Sequence, residues 1–112
     1  MAEPVFAPCV VIPVYNHEHA IGAVVAGIRA QGVSMVLVDD GCGQACADVL
    51  QQLSTRADVT LVRHAVNRGK GAAVSTGLRK ARERGYTHAV QIDADGQHTV
   101  SDVSRFIDEA RK

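Results

Sequence analysis

Tryptophan is absent from this chain of 112 residues, and its other aromatics are two tyrosines and two phenylalanines. An aromatic face for a ligand ring must therefore come from one of very few positions. Excess charge is absent as well. Twelve Lys and Arg balance twelve Asp and Glu, which removes any bulk attraction to nucleic acid or anionic lipid. No apolar run approaches the ~20 residues of a membrane span. Met1 to Pro8 lacks the basic start and apolar run of a secretory signal, so the expected location is the cytoplasm. Cysteine is scarce and odd in number: Cys9, Cys42 and Cys46. Cys42 and Cys46 stand four apart with no further cysteines to complete a zinc set, so all three read as free thiols in a reducing compartment. Repeats, linkers and low-complexity stretches are missing too. The remaining composition, 46% hydrophobic and 21% charged, is that of a soluble globular protein. Residues 1–112 are read as one domain with a small core.

Short apolar runs and helical patterns alternate along the chain. Cys9 to Val14, Met35 to Val38, Val59 to Val62 and Thr87 to Ile92 read as strands. Glu18 to Ala30, Ala45 to Leu53, Gly69 to Arg84 and Ser101 to Arg111 read as helices, with Ser101 able to cap the last one. Such alternation implies βαβ units. The expected fold is α/β, a three-layer αβα arrangement with a mostly parallel sheet of about four strands. Ligands of such sheets bind beyond the carboxyl ends of the strands. The polar and glycine-rich residues fall at those ends: Tyr15-Asn16, Asp39-Asp40-Gly41 and Asp93-Ala94-Asp95.

Asp93-Ala94-Asp95-Gly96-Gln97-His98 places two carboxylates one residue apart after a buried strand. Hard oxygen ligands of this kind suit Mg²⁺ or Mn²⁺ bridging to phosphate, and Gln97 and His98 could each add a ligand. A tight turn accounts for the same residues without a metal. Adjacent acids at Asp39 and Asp40 point in different directions. One could accept from a nucleobase N–H and the other cap the next helix, or both could serve the turn. Tyr15 could stack on a base or sit as a rim tyrosine. Asn67-Arg68-Gly69-Lys70-Gly71 opens a helix whose first N–H groups favour anions. It is not a Walker A loop, because His64 stands where a glycine is required. The basic run Arg79, Lys80, Arg82 and Arg84 suits the end of a helix and a solvated face.

Taken in order, these motifs resemble family 2 glycosyltransferases. Val11-Ile12-Pro13-Val14-Tyr15-Asn16 is similar to the family's first strand and turn. Val38-Asp39-Asp40-Gly41 resembles its V-D-D-G-S element, with Cys42 in place of Ser. Asn67-Arg68-Gly69-Lys70-Gly71-Ala72 resembles N-x-G-K-G-x. Asp93-Ala94-Asp95-Gly96-Gln97-His98 resembles the metal motif in the form of the polyprenol-phosphate (dolichol-phosphate) mannosyltransferase-like branch. The resemblance implies a Rossmann-like GT-A nucleotide-binding half and a transferase of sugar from a nucleotide donor. It implies that Pro13, Tyr15 and Glu18 line a nucleoside pocket, that Asp40 or Asp39 holds the base, and that Lys70 lies near the donor. Asp93, Asp95 and Gln97 would bind Mg²⁺ or Mn²⁺ and the sugar diphosphate.

The implied partners are a UDP- or GDP-sugar and a polyprenyl phosphate acceptor. Nucleic acid is not implied. Peripheral association with the cytoplasmic membrane face would follow from a lipid acceptor, and self-association could use an exposed sheet edge. Members of the family continue beyond the metal motif, where the acceptor pocket and general base reside. Asp102, Asp108 and Glu109 read as surface acids, so this stretch is expected to be a fragment that binds donor without turnover. A non-catalytic nucleotide-binding module fits the same residues. A phosphoacceptor receiver domain does not, since Tyr15-Asn16 occupy the place of its acidic pair. A nucleotidyltransferase lacks support, because no glycine-rich turn follows the first strand.

Overall fold

Unbroken apolar runs mark strands buried on both faces, and the two such runs of this chain form the middle of its sheet. The computed structural model describes residues 6–95 and 101–111, apart from the side chain of Ser101. The elements alternate as β1 (Pro8–Val14), α1 (Ile21–Arg29), β2 (Ser34–Asp40), α2 (Gln44–Leu53), β3 (Val59–His64), α3 (Lys70–Glu83), β4 (His88–Gln91) and α4 (Ser101–Arg111). All strand pairs are parallel, in the order β3-β2-β1-β4. The expected α/β class and four-strand parallel sheet are therefore found. The N-cap expected of Ser101 lies outside the described residues.

Strand alternation divides the core in two. Val10, Ile12, Val14, Met35 and Leu37 pack with residues of α1, α2 and α4, including Val25, Leu50 and Val103. Cys9, Val11, Val36 and Val38 pack with Ala73 and Ala81 of α3. The strand order explains why α3 lies alone on its face. From β1 the chain steps outward to β2 and β3, then returns past both to reach the far side of β1. A right-handed crossover in the reverse direction puts its helix on the opposite face.

Several element boundaries differ from the sequence expectation, three of them by two residues or more. The first helix begins at Ile21, because a turn closed on the His17 carbonyl occupies the preceding residues: the N–H groups of Ala20 and Ile21 reach it at 3.1 and 3.0 Å. Strands β2 and β3 each run two residues further than their apolar runs. Asp39 pairs with Arg63 and Asp40 with His64 in the ladder. Opposite polar partners across neighbouring strands make that extension favourable.

The face carrying α3 is built for close approach. Ala73, Gly77 and Ala81 recur at four-residue spacing and are all buried. A methyl group added at Gly77 would overlap Val11 Cγ1 and come within 3.0 Å of Val38 Cγ2. We therefore expect Gly77→Ala to destabilise the fold by about 1–3 kcal/mol through overpacking, less the ~1 kcal/mol that alanine gains over glycine in a helix. Urea denaturation should show a lower midpoint. An unchanged or raised midpoint would mean that the helix layer can back away from the sheet.

Candidate functional site

The direction reversal that sends α3 to its own face also leaves a crevice between β1 and β4, at the carboxyl ends of the strands. Such a switch point is where open α/β sheets bind ligands. Here it is a cleft of about 320 Å³, within the ~300–1,000 Å³ range of small-molecule sites. Pro13, Val14, Tyr15 and His17 line it from the end of β1, Asp93, Ala94 and Asp95 from the end of β4. Asp40, Asn67 and Lys70 complete it. Of the residues singled out in the sequence, Pro13, Tyr15, Asp40, Lys70, Asp93 and Asp95 thus come together. Asp39 and Glu18 do not line the cleft, and Gln97 and His98 lie outside the described residues.

The two adjacent aspartates separate as the strand period requires. Asp39 is buried; its Oδ1 accepts from the Cys42 N–H at 2.8 Å and its Oδ2 from Arg63 Nε at 2.9 Å. It closes the turn before α2, and so takes the turn role. Asp40, also buried, serves α3 instead. Its Oδ1 meets His64 Nδ1 at 2.8 Å and the Arg68 N–H at 2.9 Å, and its Oδ2 meets the Gly69 N–H at 2.9 Å and Asn67 Nδ2 at 3.2 Å. The anion favoured by the start of α3 is thus supplied by the protein itself. Burial alone would raise the Asp40 carboxyl pKa. Hydrogen bonds from His64 and from the Arg68 and Gly69 backbone outweigh that, and hold it below its ordinary 3.8.

Fixing the loop from Asn67 to Gly69 fixes Lys70, the first residue of α3. Its Nζ lies 2.6 Å from Asp93 Oδ1, which also accepts from Gln91 Nε2 at 2.6 Å. Lys70 remains 60% exposed in this ion pair, so the cation is available at the mouth of the cleft. Tyr15 stands on the rim of the cleft, 49% exposed. The turn beneath it is tied down by Asn16, which adopts φ 57° and accepts from the Gly43 N–H at 2.8 Å. Cys42, which stands in place of the resembled serine, ties the two turns together: its thiol donates to the Val14 carbonyl and accepts from the Asn16 N–H. Burial foremost, with hydrogen bonding to Cys46 and Asp39, pushes that thiol up to about 12. Cys42 is therefore structural, not nucleophilic. All three cysteines are free, in keeping with the sequence reading.

Among the described residues, Glu18 Oε1 is the only buried side-chain oxygen or nitrogen with no hydrogen-bond partner. Among those same described residues, no group of three or more His, Cys, Asp or Glu converges as a metal cluster, and no helix is long and apolar enough to cross a membrane. Sequence reasoning missed His17, Asn67 and His64 as site residues. Asn67 sits inside a quoted motif. His64 carried no local signal, because its role depends on the register between β2 and β3.

The family model described as glycosyl transferase family 2 matches residues 9–112. A UDP-N-acetylglucosamine–dolichyl-phosphate N-acetylglucosaminyltransferase of Methanococcus voltae is 32% identical over 111 residues, covering 87% of this chain and 44% of that protein. A polyprenol monophosphomannose synthase of Mycolicibacterium smegmatis is 31% identical over 103 residues, covering 88% and 39%. The chain thus spans about two fifths of the length of these curated relatives. The solved structure of a mannosyltransferase from Pyrobaculum calidifontis in complex with GDP-Man and Mn²⁺ superposes with a TM-score of 0.65 at 24% identity, over 83% of this chain and 29% of that one. That likeness shows the fold to be of the GT-A type.

The electrostatics of Asp40 set a pH dependence. A carboxyl whose folded pKa lies below its ordinary 3.8 contributes stability that is present above that value and lost as pH falls through the folded one. Asp58 behaves likewise, lowered by its hydrogen bond to Arg29. Urea midpoints should fall as pH drops below about 5. Asp40→Asn should be less stable at neutral pH and show a shallower acid loss. An Asp40→Asn variant with the parent's slope would remove Asp40 from this account.

Proposed function

The chain belongs to glycosyl transferase family 2, and we propose that its cleft binds the nucleoside diphosphate of a sugar donor, for transfer of the sugar to a polyprenyl phosphate. The observation that carries this reading is the convergence, at the switch point of the sheet, of an exposed aromatic ring, a cation and two carboxylates. Tyr15 offers a face for the base, with Pro13 and His17 beside it. Lys70 offers positive charge for the diphosphate. Both named relatives act with lipid phosphates, and that supports the acceptor class. Transfer to such an acceptor belongs at a membrane surface, which fits a cytoplasmic protein held peripherally there.

Asp93 and Asp95 form a hard oxygen donor set suited to a divalent cation such as Mg²⁺ or Mn²⁺. No group of three or more His, Cys, Asp or Glu converges among the described residues, so Asp93 and Asp95 would hold such an ion without a full protein cage. Such an ion, when bound, neutralises charge developing on the diphosphate leaving group. The residues of the chain then have distinct tasks. Asp93 is oriented by Gln91 and Lys70, and Lys70 can turn from Asp93 to the diphosphate as the donor enters. Tyr15 and Pro13 shield the base from water. Acceptor activation is assigned to none of these residues.

Calorimetric titration with UDP and with GDP, with and without Mn²⁺, tests this. We expect metal-dependent binding of one nucleotide, weakened at least about tenfold, or ~1.4 kcal/mol, in the Asp93→Ala, Asp95→Ala double variant. Absence of binding at millimolar nucleotide by the folded chain, or binding indifferent to both metal and substitutions, would overturn the assignment.

A further inference from the structure

We propose that His64 and Thr76, neither of which lines the cleft, are positioning residues of the donor site: their hydrogen-bonded chain through Asp40 sets the backbone from Asn67 to Gly69, and with it the place of Lys70 opposite Asp93. The inference rests on the donor-site reading above and deepens it.

A carboxylate offers about four acceptor positions, and at Asp40 all four are taken by protein donors: His64, Asn67, Arg68 and Gly69. Asp40 therefore reaches the cleft as part of its wall, with its hydrogen-bonding capacity spent on the loop. Because an ionised carboxylate only accepts, His64 Nδ1 must carry a proton. His64 Nε2 lies 2.9 Å from the Thr76 hydroxyl, which donates to it in the neutral tautomer. The His64 ring is buried, so neither nitrogen can turn to water instead.

The chain Thr76–His64–Asp40 joins the body of α3, the end of β3 and the end of β2. It thereby spans both anchors of the loop between β3 and α3. Gly41 supplies the second half of the clamp. At φ +75°, it lets the strand end pass so close that a Cβ would overlap the Asn67 backbone nitrogen and lie 2.5 Å from the Val66 carbonyl carbon. Loop and strand end are thus held in direct contact, and the Lys70 stem leaves from a fixed point. Losing His64 would strip one donor from a buried carboxylate, a change whose cost falls on the groups still bonded to it.

The test uses the ¹⁵N-labelled chain and three variants: His64→Leu, His64→Gln and Thr76→Val. Amide hydrogen exchange is read at Arg68 and Gly69 against the interior of α3, and UDP and GDP are titrated in the presence of Mn²⁺. In His64→Leu, exchange at Arg68 and Gly69 should rise about tenfold while the α3 interior holds, and nucleotide affinity should fall by a similar factor. His64→Gln should restore both, since its amide can donate to Asp40 and accept from Thr76. Thr76→Val should move both in the same direction as His64→Leu, by less, and carries the comparison if His64→Leu does not fold.

Unchanged exchange at Arg68 and Gly69 would overturn the proposal. Equal loosening of the whole of α3 would do so too, since it would reveal a purely structural role. So would a loosened loop with unaltered nucleotide affinity. A parent chain that binds no nucleotide would sink the donor-site reading, and the positioning role with it, while the exchange measurements would still decide whether the clamp on the loop exists.

Discussion

A buried carboxylate is the constraint around which this end of the molecule is arranged. Removing Asp40 from water is unfavourable unless every acceptor position finds a donor. The donors come from three places in the chain: the side chain of His64, the side chain of Asn67 and two consecutive backbone N–H groups. Meeting that demand dictates local structure. Gly41 must be a glycine for the loop to come close enough, β3 must extend to His64, and α3 must begin where Asp40 can cap it. The helix start has no side-chain cap of its own, because the cap arrives from β2.

Topology determines what this arrangement can be used for. The reversal of strand order puts β4 beside β1 and opens the crevice between them. The small residues of α3 hold that helix flat against β1 and β2, so its first residue reaches over the sheet end toward β4. Lys70 and Asp93, 23 positions apart in sequence, meet there. The cleft is thus a product of packing on the α3 face as much as of the loops that line it.

Much of this was legible in the sequence. The unbroken apolar runs Cys9 to Val14 and Met35 to Val38 read as strands, and the structure puts both in the middle of the sheet, with the polar clusters after them at its carboxyl end. Adjacency of Asp39 and Asp40 already implied opposite directions, because strand side chains alternate. What could not be read was which partner each would find. That depends on pairing Asp39 with Arg63 and Asp40 with His64, and register is a tertiary property that no local pattern carries. For the same reason the helix-start motif looked like a place for a ligand's anion, when its first N–H groups already bind the protein's own. Gly77 gave no signal either, since a glycine within a helix reads as a weakness until the facing valines are known.

Strand β4 has only four residues and, among the described residues, pairs only with β1. It also carries at its end the aspartates that would face the donor. Elements with few ladder bonds open at lower free energy than the rest of a fold. A ligand gripped by Asp93 and Asp95 must then hold β4 closed, and it stabilises the closed form by an amount that grows with the logarithm of its concentration above the dissociation constant. For any ligand so held, occupancy of the cleft and local folding of the sheet's edge would be a single linked equilibrium, in which ligand concentration governs how often that edge strand comes away.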